Sequence, residues 1–256
     1  MSFDPVLAWE SLPALLRGAL VTLSVTVPVL ALGLVFALPI ALARLATNRS
    51  AGLAAAGYVA VFRGTPSLIL LYLIYSGLGH VDWVRHSPAW LVLRHPFPCA
   101  VLGFALVHSA YVAEILRGGL AAVPKGCLEA GTALGLSPGR LLFAIRLPMA
   151  MRLALRAYQN EVVIIIKATA AVSAVTLTDL TAAANEVFYV TYDPFTPLLT
   201  AAAIYWAVIN LVRAGFGWAD GLLNRHLSAD RYQVPRVDGR TKLSSSARLL
   251  RLRNAD

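Results

Sequence analysis

The sequence predicts an all-α integral membrane protein with five transmembrane helices and one informative loop. Three observations predict it. Of 256 residues, 58% are hydrophobic and 14% charged, with a mean hydropathy of +0.69; a soluble domain carries about a quarter charged residues. Apolar runs recur at close to the ~20 residues a helix needs to cross a bilayer core. The basic residues collect in alternate loops, as the positive-inside rule requires.

The first span is the clearest. Between Arg17 and Arg44 lie 26 uncharged residues, Gly18 to Ala43, with Pro28 and Pro39 as expected kinks. A second span is expected from about Pro66 to Gly79, after a surface helix over Ala51 to Phe62. Thr65 and Pro66 read as the N-cap and first residue of that span. The third runs from about Phe97 to Ala113 and the fourth from Leu153 to Leu177, interrupted by Glu161 and Lys167. The fifth starts near Pro197 and ends at or just past Arg213.

Eighteen of the 22 Lys and Arg residues fall on one side of this arrangement; only Arg17, Arg85 and Arg94 fall on the other, and Lys167 lies within a span. That bias predicts a periplasmic N-terminus and a cytoplasmic C-terminus. It also assigns the net charge of +9 to loops facing anionic lipid rather than to nucleic acid. Three regions follow: residues 1–17 as a periplasmic segment, 18–225 as the membrane domain, and 226–256 as a basic cytoplasmic tail. Cys99 and Cys127 have neither metal-ligand nor redox spacing. The first apolar run is too long for the core of a removable signal peptide.

The loop between spans 3 and 4 reads VPKGCLEAGTALGLSPGRLLFAIRLP from Val123 to Pro148. It predicts two short helices joined by a tight turn. The first starts near Pro124 and stops at Gly135, where a left-handed residue is expected. Ser137 then offers an N-cap oxygen and Pro138 suits the first helical position. The second helix presents Leu141, Leu142 and Ile145 at helical spacing, and Pro148 is expected to break it before span 4. Such a pair is shaped either to dock into a partner or to lie as an amphipathic loop on the membrane.

The spacing of Glu129-Ala130-Gly131, Gly135 and Ile145-Arg146-Leu147-Pro148 resembles the EAA signature of permease subunits in binding-protein-dependent ABC importers. One position departs, with Gly131 where that family usually has alanine. The resemblance implies the type I importer permease fold. It also implies that Glu129, Ala130, Gly131, Gly135, Ile145, Leu147 and Pro148 couple the chain to a cytoplasmic dimer of ATPase subunits. No G-x-x-x-x-G-K-[ST] phosphate loop occurs in the chain, so ATP would be hydrolysed by that partner. No cofactor is implied.

Further matches narrow the group. Phe62-Arg63-Gly64-Thr65-Pro66, the set Tyr111, Glu114, Arg117 and Gly118, and the set Tyr158, Asn160 and Glu161 resemble elements of polar amino-acid permeases. Tyr192-Asp193-Pro194-Phe195-Thr196 and the position of Asp179 resemble the histidine-type subunit in particular. Together the matches cover roughly residues 15 to 225. They imply transport of histidine, arginine, lysine, ornithine or an opine across a bacterial inner membrane. The implied partners are a second homologous permease (a heterodimer) and a periplasmic solute-binding protein.

Some residues carry several readings. Arg63 reads as a positive-inside charge or as the partner of Glu114 or Glu161. Those two carboxylates, near the ends of spans, are expected to be paired. Lys167 lies about 14 residues, roughly 20 Å, into span 4. It is a candidate for gate lining, subunit pairing, snorkelling or contact with a solute carboxylate. Glu161 is about 240° away round the helix and does not share its face. With Asn160 and Tyr111 these residues form the candidate pathway. His108 reads as an interior residue. A secondary transporter or channel is the alternative, favoured by inverted repeats, which the sequence lacks. A membrane-embedded enzyme would need a cluster that the five histidines do not form.

Overall fold

A computed structural model describes residues 3–223. The chain divides into two compact units, Met1–Asp220 and Gly221–Asp256. The helical bundle belongs to the first unit. The basic tail lies outside the described residues.

Every regular element among the described residues is helical. Helix α1 is Pro5–Leu45, α2 is Arg49–Gly64 and α3 is Ser67–Tyr72, which runs on through a π turn and a 3-10 turn to His80. Short α4 (Asp82–Arg85) and α5 (Trp90–Leu93) lead to α6, Pro96–Ala121. Helix α7 (Lys125–Ala133) and α8 (Pro138–Arg140) form the central loop. A π segment, Leu141–Arg146, joins α8 to α9, Leu147–Ala168, which ends in a 3-10 segment over Thr169–Val175. Helices α10 (Leu180–Thr191) and α11 (Phe195–Leu223) follow.

Helices α1, α6 and α11 are each long and apolar enough to cross a bilayer; α2 with α3, and the α8–α9 rod with α10, are pairs bent by 101° and 52°. Counted with these pairs, the spans number from three to five.

Helix α6 is the central helix. Two-thirds of its most apolar stretch is buried, against a third for α1 and 22% for α11. Its buried positions are mostly small: Ala100, Gly103, Ala105, Ser109, Ala110 and Ala113. Helix α1 answers with Gly33, Ala37 and Ala41, while its Gly18, Ala19 and Thr22 pack against α10. In lipid no hydrophobic force separates helix from tail, so close backbone approach and dispersion hold such a bundle. The α6–α9 crossing shows how close: a Cβ at Gly119 would lie 2.7 Å from the Ala150 carbonyl oxygen. Larger side chains fill the centre, where Val25 and Val29 of α1, Leu71 of α3, Phe104 of α6 and Ile165 of α9 meet. The outer faces remain apolar and bare, with Val35 at 65% and Trp206 at 71% exposure. Lipid or a second subunit suits such surfaces and water does not.

Several boundaries differ from those expected. Helix α1 begins at Pro5 rather than Gly18, because the Asp4 side chain caps it by accepting from the Val6 and Leu7 amides. Its 41 residues, about 60 Å of helix, run unbroken through Pro13, Pro28 and Pro39. Thr65 ends α2 instead of starting α3, and its hydroxyl donates to the Val61 carbonyl. Pro66, not Thr65, holds the N-cap position of α3. Helix α10 has no counterpart in the expected spans. Helix α11 continues beyond Arg213 to Leu223, so Arg213 lies inside the helix rather than at its end.

Pro148 is the clearest correction. It does not break the second loop helix, for α8, the π segment and α9 form one rod. The ring of a helix-interior proline crowds the carbonyl four residues earlier and brings no N–H to it. The wider i→i+5 turn of Leu141–Arg146 absorbs both defects immediately upstream. The second loop helix is therefore rigidly continuous with the span it was expected to be hinged to.

Candidate functional site

The helical pair of the central loop folds as its caps dictate. Gly135 is left-handed, at φ +75. The Leu136 amide donates to Gly131 and the Gly135 amide to Thr132, which closes α7 with a Schellman arrangement. The Ser137 side chain accepts from the Arg140 amide at the start of α8. Gly131 is buried where α7 meets the rod: a Cβ there would lie 2.5 Å from Leu141 Cδ1 and 3.1 Å from Ile145 Cδ1. The departure from alanine at this position thus sits at the tightest contact of the pair.

One side of the pair is anchored. Leu128, Leu142 and Leu147 pack with Leu120 and Val123, and Arg146 Nε donates to the Leu120 carbonyl at the end of α6. The other side is open. Glu129 and Ala130 are exposed, Pro148 is exposed, and Ile145 and Leu147 are half-buried. Leu134 is 83% and Phe143 62% exposed. Glu129 makes no ion pair with any described residue. The pair thus carries an exposed carboxylate and two bare apolar side chains on a base packed against α6 and α9.

The remaining candidate residues separate into three groups. Near the end of α6, Glu114 binds Arg117 one turn on and lies 3.6 Å from Arg44 in the last turn of α1. Arg63 pairs with neither Glu114 nor Glu161. Its guanidinium sits over the Tyr111 ring, 4.9 Å from the centroid, and so ties α2 to α6. Both carboxylates already have other partners.

The second group is buried. His108 Nδ1 lies 3.4 Å from Glu161 Oε1, with side-chain exposures of 0% and 5%. The Tyr158 ring stands beside the imidazole, at 5.9 Å. A Cβ at Gly33 of α1 would strike the His108 ring, so α1, α6 and α9 meet at this pair.

The third group faces outward. Asn160, Ile164 and Lys167 are exposed and share one face of α9 by their spacing. Across a groove stand Trp206, Asn210 and Arg213 of α11, at the same spacing. Sequence reasoning placed Arg213 among loop charges and passed over Asn210 and Trp206. The i, i+4, i+7 pattern of these three was the available signal, obscured by ending the span early.

Comparison with known proteins places this architecture. The chain is 40% identical to the octopine transport system permease protein OccM of Rhizobium meliloti, over 84% of this chain and 87% of that one. It is 38% identical to the nopaline permease NocM of Agrobacterium fabrum, over 88% and 94%. It is 31% identical to the histidine/lysine/arginine/ornithine permease HisM of Salmonella typhimurium, over 83% and 91%. Among solved structures, an amino acid ABC transporter crystallised with histidines matches at a TM-score of 0.75 and 32% identity, over 86% of this chain and 99% of that chain. The inward-facing MetNI methionine transporter, at a TM-score of 0.69 and 19% identity over the same shares, has the same fold. Residues 19–220 match the family model directly, and the chain belongs to the binding-protein-dependent transport system inner membrane components.

Proposed function

We propose that this chain is one of two permease subunits of an ATP-driven importer of amino acids or opines in a bacterial inner membrane. The octopine, nopaline and basic amino-acid relatives support the solute class. The observation that carries the coupling role is the capped pair α7–α8, with Glu129, Leu134 and Phe143 bare and its base locked to α6 and α9.

In this reading the N-terminus is periplasmic and the C-terminus cytoplasmic, which the Lys/Arg bias supports. Residues 1–17 then reach into the periplasm as the start of α1, and residues 226–256 are the basic cytoplasmic tail. A periplasmic protein delivers the solute. A homologous second permease completes the path as a heterodimer. Two ATPase subunits bind and hydrolyse ATP; this chain makes and breaks no bond. Glu129, Ala130, Gly131, Gly135, Ile145, Leu147 and Pro148 form the docking element. Because α8 continues into α9, a push on the pair moves a span as a lever. ATP then acts by shifting the inward- and outward-facing populations. Lys167, Asn160 and Glu161 lie along α9, the moving span. Tyr111, Glu114 and Arg63 brace α6 against α1 and α2.

The test is co-purification of the assembled complex from membranes with Glu129→Lys in this chain. Charge reversal on the exposed face should leave insertion and pairing with the second permease intact and deplete the ATPase subunits. Undiminished ATPase recovery would overturn the docking role.

A further inference from the structure

A groove runs between the end of α1 and the helical pair of the central loop. Leu42 and Leu45 of α1 wall it on one side; Leu128 of α7, with Leu141 and Leu142 of the π segment, walls it on the other. It encloses about 320 Å³, and Arg146 is the one charged residue among those that line it. That guanidinium is anchored but not neutralised. Its Nε donates to the Leu120 carbonyl, which leaves the N–H groups of the two terminal nitrogens for another acceptor. Arg146 is half-buried and forms no ion pair with a described residue. Glu114 is taken by Arg117 and Arg44; Glu129, beside Leu128, is exposed and does not line the groove.

These walls select an occupant with an apolar body and an anionic end. The sequence of α1 changes character at the same place: its uncharged run ends at Ala43, and Arg44 follows. An extended peptide laid along leucine walls would leave its own N–H and C=O groups unpaired, because the helices on either side bond theirs internally. One turn of an inserted helix, ~10 Å across and ~5.4 Å long, takes roughly 420 Å³, more than the groove holds. A free phosphate would use Arg146 and leave the leucines bare. Phospholipid surrounds an inner membrane component, and an acyl tail has no backbone groups to satisfy.

We infer that this groove binds one anionic phospholipid. An acyl tail lies between α1 and the helical pair, and the lipid phosphate accepts from the terminal nitrogens of Arg146, in the paired geometry that a guanidinium favours. Lys125 and Arg140 make the same loop basic, which draws anionic lipid to it. A lipid held there joins the end of α1 to the base of the pair, where Leu45, Leu128 and Leu142 already pack on one cluster. The composition of the bilayer then bears on how firmly the pair is seated, whatever solute the protein carries.

The experiment uses the assembled complex, delipidated in detergent and titrated with phosphatidylglycerol or, for comparison, phosphatidylcholine with the same acyl chains. Native mass spectrometry reads the affinity of the tightest-bound lipid. The complex should prefer phosphatidylglycerol, and Arg146→Gln should weaken its binding about fivefold or more, the effect of one basic contact near a membrane surface. Leu42→Trp fills the groove without touching the charge, and should lose the lipid as well. It keeps the test decisive if Arg146→Gln does not assemble. Arg140→Gln removes an exposed cation that does not line the groove, and should change binding less than about twofold. Equal loss in Arg146→Gln and Arg140→Gln would reduce the effect to diffuse attraction by a basic surface and overturn the inference. Unchanged binding in Leu42→Trp overturns it too, as does displacement of the lipid by inorganic phosphate, which would make the groove a site for a free anion. Binding seen only after the ATPase subunits are stripped away would assign the groove to them instead.

Discussion

His108 on α6 and Glu161 on α9 form a buried contact, Nδ1 to Oε1, at 3.4 Å across the centre of the bundle. It is the one ionisable pair among the described residues with both side chains nearly fully enclosed. Glu161→Ala strips the imidazole of its partner and leaves a polar group unsatisfied in the interior, a cost of about 1–3 kcal/mol. The variant should melt at lower temperature in detergent. His108→Leu combined with Glu161→Met should recover much of the loss, since replacing both partners of a buried pair by apolar groups is often neutral. Thermal melts of the two variants check this.

The same contact depends on a missing side chain. A Cβ at Gly33 would overlap the His108 ring, whereas one at Gly57 in α2 would meet nothing within 4 Å. Gly57→Ala should therefore raise stability by up to about 1 kcal/mol, the ordinary helix gain. Gly33→Ala should lower it despite the same gain. Side-by-side melting curves read the difference in sign.

Tyr111 binds Arg63 through its ring face, not mainly through its hydroxyl, whose distance to the Arg63 carbonyl is 3.4 Å. Tyr111→Phe should be nearly neutral. Tyr111→Leu should lose about 0.5–1 kcal/mol, measured by the same melts.

Gly131 touches only the ends of flexible side chains, Leu141 and Ile145 among them. Alanine, which adds helix propensity of about 0.8–1 kcal/mol, should be accommodated by a small movement of those ends. Valine should push α7 off the rod. Gly131→Ala should thus keep solute-stimulated ATPase activity near the parent level, and Gly131→Val should uncouple it while the complex still assembles.

Much of the fold was legible in the sequence where the signal is local. The Gly135 stop, the Ser137 cap and the Pro138 start are short-range backbone chemistry, and the structure has them where the spacing puts them. The apolar runs mark α1, α6 and α11 for the same reason. Helix α10 escaped notice because its 12 residues include Asn185 and Glu186 and fall short of a span. Pro148 was misread because proline breaks a helix only when the preceding turn cannot widen, and a π turn leaves no mark in composition. Pairings across helices were not readable at all. The Arg117–Glu114 contact follows from i, i+3 spacing, but Arg44–Glu114 and His108–Glu161 exist only once α1, α6 and α9 are packed.

On the proposed reading, α7–α8 transmits ATPase motion to the spans through the continuous α8–α9 rod. The most direct measurement is ATP-dependent solute uptake into proteoliposomes that contain the whole importer, wild type against Leu134→Glu. That substitution places a charge on the bare docking face without touching the anchored side. Subunit pairing in the membrane should stay intact and uptake should fall to background. Full uptake by Leu134→Glu would contradict that reading.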